Sequence, residues 1–71
     1  MQCTAVYQKQ GAWYLGWVEE VPGVNTQGKT MVEVKANLKE ALQLVLGVNK
    51  VLTEKERPRG RVVRQKIFVK V

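Results

Sequence analysis

A chain of 71 residues with twelve Lys and Arg, six Glu and neither His nor Asp forms one domain with a thin core, because a chain of this size buries only about 60% of the surface it exposes when unfolded. Without histidine or aspartate there is no ordinary general base, no nucleophile–base pair and no metal-ligand cluster, so the composition points away from an enzyme and from a bound cofactor or metal. No stretch approaches about 18 consecutive apolar residues, no basic region followed by an apolar run opens the chain, and Cys3 has no disulfide partner; the expectation is a soluble cytoplasmic protein with no membrane partner.

In chain order, "QCTAVYQ" alternates as a strand, "KQG" supplies a three-residue turn, and "AWYLGWV" is an aromatic second strand that completes a hairpin. Along that second strand Trp13, Leu15 and Trp17 project to one side, and Ala12, Tyr14, Gly16 and Val18 to the other, so both faces are largely apolar. Pro22-Gly23 fits a turn, "VNTQ" a short third strand, and Gly28 a sharp reversal. Thr30 and Glu33 then form an S/T-x-x-E capping box that starts a helix. Met31, Val34, Leu38, Ala41 or Leu42, Val45, Val48 and Leu52 recur on one helical face. Gly47 interrupts that run, and the helix is expected to continue through it because Val48 and Leu52 keep the phase. "EKERPRGR" is a polar break, and "VVRQKIFVKV" resumes as a strand to Val71, with Ile67, Val69 and Val71 opposite Lys66, Phe68 and Lys70. The predicted fold is α+β in the order β-β-β-α-β. It has a mixed four-stranded sheet of order 3-2-1-4, the last strand parallel to the first, and one helix packed on one face.

Charge is divided along the chain. Residues 1–49 carry four Lys against four Glu and sum to zero, while residues 50–71 carry eight Lys and Arg against Glu54 and Glu56, so the whole +6 lies there. Arg57, Arg59, Arg61 and Arg64 are therefore either a solvated loop or a nucleic-acid contact. "GVNTQGKT", Gly23 to Thr30, has the letters of a P-loop but is read as a weak false match, because "VNTQ" is expected as a strand, and Cys3 reads as a small buried thiol. One helix covers one face of the sheet. The other meets solvent, a second copy or a different protein, with Tyr14, Trp17, Val18 and Phe68 as the candidate protein interface; alternatively the rings lie under Lys and Arg stems. A homodimer is expected, through this apolar face or the free edge of the last strand, although Lys66 and Lys70 weigh against the edge.

"WYLGWVEEVPGVNTQGKTMVEVKANLKEALQLVL" resembles the HicB-like antitoxin family through Pro22-Gly23, Thr26-Gln27-Gly28, Thr30, Glu33 and Glu40-Ala41-Leu42. The resemblance implies a partial RNase H-like module without the acidic metal-binding set of the nucleases. It also implies a HicA-type toxin as partner, an mRNA-cleaving protein that the antitoxin covers. On this reading Pro22, Gly23, Gly28, Thr30 and Glu33 are scaffold. Two departures stand out: the further C-terminal DNA-binding domain usual in such antitoxins is not expected in residues 1–71, read as a single HicB-like domain, and a +6 chain meets a commonly basic toxin with repulsion unless it docks by its neutral portion. The competing function is a nucleic-acid-binding module that uses the basic C-terminal end.

Overall fold

A computed structural model describes residues 1–70, so the expected place of Val71 on the last strand lies outside the described residues. The chain runs β1 (Gln2–Gln10), β2 (Trp13–Val18), β3 (Asn25–Gly28), α1 (Met31–Leu46), β4 (Lys50–Thr53), β5 (Arg57–Arg59) and β6 (Val62–Lys70). β1 and β2 are joined through Gly11-Ala12, since Gln10 pairs with Trp13; the turn has two residues in place of the expected three, and Lys9 and Gln10 of "KQG" belong to β1. Val24 N–H donates to Val21 C=O across Pro22-Gly23, and Gly23 has φ 91°, as a type II turn requires.

The helix begins where the capping box places it. Thr30 is extended, and its hydroxyl accepts from Glu33 N–H at 3.1 Å. It ends at Gly47, which adopts a left-handed conformation (φ 65°, ψ 32°), and Gly47 and Val48 N–H both close on Gln43 C=O. Glycine enters that region without the Cβ penalty that other residues meet, and this terminates the helix. The expected continuation to Leu52 is thus overturned. Val48 packs on the core from the turn, Val45 is 58% exposed, and Leu52 belongs to β4.

That stop changes the whole sheet. The expected four-stranded mixed sheet of order 3-2-1-4 is incorrect: the described residues form six strands, all their pairs are antiparallel, and the order is β3-β2-β1-β6-β4, with β5 also on β6. The pairings make β3 and β4 run in the same direction at opposite ends of the sheet. The helix therefore carries the chain across to a new outer strand, and β6 returns between β4 and β1, necessarily antiparallel to both.

β4 and β5 are two parts of one bent edge strand. Thr53 pairs with Ile67 and Arg57 with Arg64, so Glu54, Lys55 and Glu56 oppose only Gln65 and Lys66. One extra residue on one strand is a β-bulge, which bends the edge. Gln65 fills the bend from within: its amide nitrogen donates to Glu54 C=O at 2.9 Å, and its amide oxygen accepts from Tyr7 O–H at 3.3 Å.

The core lies between α1 and the sheet. Val34, Leu38 and Leu42 of the helix meet Cys3, Ala5 and Tyr7 of β1, Val18 of β2, Val51 of β4, and Ile67 and Val69 of β6. Each buried aliphatic side chain contributes roughly 1.5–3 kcal/mol.

Candidate functional site

Period-two alternation sorts the remaining strand residues onto the face that the helix does not cover. Cross-strand register then arranges them in rows. One row runs Asn25, Trp17, Val6, Arg64, Arg57, and the next runs Gln27, Leu15, Gln8, Val62, Arg59. Phe68 stands between Gln2 and Leu52, with Lys70 opposite Lys50 beyond it. The open face thus passes from uncharged amides on β3, through Leu15 and Trp17 on β2 and a mixed β1 of Val6 and Gln8, to Arg64 on β6 and Arg57 and Arg59 on β5.

Two open concavities mark its ends. One of about 730 Å³ is lined by Leu15, Gly16, Trp17, Asn25, Thr26 and Gln27. The other, about 630 Å³, is lined by Arg57, Pro58, Arg59, Val62 and Arg64. Between them Val6 is only 1% exposed although it lies outside the helix-side cluster. Arg64 reaches from β6 to Glu19, just after β2, at 3.0 Å, so its aliphatic stem spans β1 and shields that part of the face.

The candidate interface set is divided by this geometry. Trp17 and Phe68 are half-buried on the open face. Val18 is 3% exposed in the helix-side core, and Tyr14 packs against that core with Lys9 Nζ 5.7 Å from its ring centroid. Of the basic candidates, Arg57, Arg59 and Arg64 share one concavity, while Arg61 sits in the β5–β6 turn and lines another with Lys9 and Gly11. Leu15, Asn25, Gln27, Lys50 and Leu52 belong to the open face and were missing from the sequence-derived set. For Lys50 and Leu52 the reason is their assignment to the helix or its end; for Leu15, the alternation of β2 already held the signal.

Gly28 and Gly16 lie at a tight contact between sheet and helix. A Cβ on Gly28 would lie 2.7 Å from Val34 N, and a Cβ on Gly16 would lie 3.1 Å from Val34 Cγ2. At Gly28 the obstructing atom is backbone, so only a residue without a side chain lets β3 and the helix approach so closely, while at Gly16 a side chain would require Val34 to give way. Asn37 adds a side-chain hydrogen bond to Gln27 C=O at 3.1 Å.

The titratable groups with shifted affinities have structural causes. Burial pushes the Tyr7 hydroxyl up to about 12 and raises the Cys3 thiol, with Glu20 adding to the effect, so Cys3 is held in its poorly nucleophilic form. Glu20 is lowered chiefly by the Thr4 N–H, 2.6 Å from Oε1, with Thr4 O–H donating to Oε2 at 2.8 Å. Its carboxylate takes over the ladder where β2 has already ended. Among the described residues no three His, Cys, Asp or Glu side chains are grouped to hold a metal ion, and no helix is long and apolar enough to cross a membrane.

The chain is similar to a UPF0150 protein of Thermotoga maritima, with 50% identity over 40 residues that cover 56% of this chain and 53% of the relative. It therefore spans about half the length of that relative. No family model and no solved structure matches it.

Proposed function

We propose that this chain is a HicB-like, non-enzymatic protein-binding module that neutralises an mRNA-cleaving HicA-type toxin by covering its active surface. The observation that carries this reading is the uncovered sheet face, which offers half-buried Leu15 and Trp17 beside the uncharged edge of Asn25 and Gln27. Residues with an apolar body and a polar rim are what a protein interface uses. The similarity to the UPF0150 protein supports kinship with a small-protein group, and the placement of Pro22, Gly23, Gly28 and Thr30 in turns, close approaches and a cap supports their role as scaffold. A basic toxin docks at the β2–β3 end, away from the arginines, because like charges in an interface cost affinity.

A HicA-type toxin encoded beside this chain's gene is the probe. Calorimetric titration is expected to give a complex, with toxin cleavage of mRNA suppressed at saturation. Trp17→Glu is expected to weaken binding by a factor of ten or more, about 1.4 kcal/mol, with the unfolding midpoint retained. Absence of binding overturns the antitoxin reading, and full binding by a folded Trp17→Glu variant moves the interface elsewhere.

A further inference from the structure

The other end of the open face carries charge that the fold does not use. Arg57 stands directly opposite Arg64, and Arg59 is two positions along the same strand, opposite Val62. Among the described residues the ion pairs are Lys35 with Glu56 and Arg64 with Glu19, so Arg57 and Arg59 have no carboxylate partner. Both are exposed. Arg64 already has its counter-charge in Glu19, and an anionic ligand would supply the one that Arg57 and Arg59 lack.

The positions also match a polymer better than a single anion. Strand geometry separates Arg57 and Arg59 by about 6.8 Å on one side of the sheet. Arg61, in the β5–β6 turn, lines a further concavity beyond them and extends the basic track. Beside the charges, half-buried Val62 supplies apolar wall in the same concavity. A planar guanidinium pairs with phosphate through two parallel hydrogen bonds, and an apolar wall beside it can receive the face of an unpaired base. A duplex keeps its base faces stacked inside, so the arrangement favours a single strand.

We propose that the β5–β6 corner binds single-stranded polynucleotide, with Arg57, Arg59 and Arg61 on successive phosphates and a base against Val62. The site uses none of the residues assigned to toxin docking and stands whether or not that reading holds.

Fluorescence anisotropy of the full chain with labelled oligouridine and oligothymidine of about 12 nucleotides, within the span of known single-strand sites, tests it. Three phosphate contacts predict a slope of log affinity against log salt of about −2, or about a twentyfold loss between about 50 and 200 mM salt. R57Q/R59Q is expected to lower affinity at least tenfold at the lower salt and to reduce the slope to about −0.7, whereas R57K/R59K keeps the slope. Retained thermal unfolding midpoints in both variants separate loss of binding from loss of fold. Any of three results overturns the proposal: no binding at the lower salt, unchanged affinity and slope in R57Q/R59Q, or equally tight binding of a duplex or of polyglutamate of the same charge.

Discussion

At Gly28 the β3 backbone comes so close to the first turns of the helix that an added methyl has no room: its carbon would lie 2.7 Å from Val34 N and 3.1 Å from Val34 Cα. The obstructing atoms are backbone, held by Val34 N–H donating to Thr30 C=O at 3.0 Å, so the strand or the helix must shift as a whole. Gly28→Ala is therefore expected to destabilise the fold by about 1–3 kcal/mol, the usual range for overpacking. Chemical denaturation checks it, and an unchanged midpoint would show that the two elements slide apart freely. Gln65 is the other residue on which local structure depends. It is 8% exposed, sits in line with Ile67 and Val69, and satisfies both Tyr7 O–H and the Glu54 carbonyl left unpaired by the bulge. A glutamine in an otherwise apolar register is a visible anomaly in "VVRQKIFVKV", but its two partners lie 58 and 11 residues away.

Among the elements, α1 has the most explicit boundaries. Its start is a side-chain to backbone hydrogen bond, Thr30 Oγ1 accepting from Glu33 N–H, which satisfies one of the otherwise orphaned donors of the first turn. Thr30→Ala is expected to cost about 1 kcal/mol. The unfolding midpoint measures it, and a Thr30→Ser variant should restore most of the loss because the hydroxyl is retained. The helix end is misread from the sequence. Gly47 is a stop, but the spacing of Val48 and Leu52 favours a longer helix that passes through it. Packing decides for the stop: Val48 reaches the core from the turn, and Val51 is 2% exposed as a strand residue against Val69.

Across the whole molecule, the arrangement of strands decides which surfaces remain for partners. β6 is paired on both sides, so the expected dimer contact through the free edge of the last strand is removed. The true edges are both obstructed. β3 has its Gln27 carbonyl taken by Asn37, and the β4–β5 edge carries a bulge, Pro58 and arginines, all of which discourage strand addition. A homodimer through the open face remains our proposal for the isolated chain. Sedimentation equilibrium is expected to show a concentration-dependent dimer in the micromolar range that Trp17→Glu returns to 8.1 kDa. A clean monomer of the unaltered chain up to about 100 μM, far above a micromolar dissociation constant, refutes it.

The sequence by itself determined what rests on neighbours along the chain: the β1–β2 hairpin, the Pro22-Gly23 turn, the capping box at Thr30 and the two-sided pattern of Ile67, Phe68 and Val69. Each is set by interactions within a few residues, where propensity, turn chemistry and periodicity act directly. Tertiary structure decided where the helix stopped, that Lys50–Thr53 and Arg57–Arg59 became strands, and that β6 entered antiparallel beside β1. Those outcomes depend on pairings between residues far apart in sequence. A short run such as "KVLT" carries too little periodicity to distinguish helix end from edge strand until β6 offers its backbone, and the basic C-terminal segment becomes one arginine-lined face only once the bulge and the β5–β6 turn bring Arg57, Arg59 and Arg64 together.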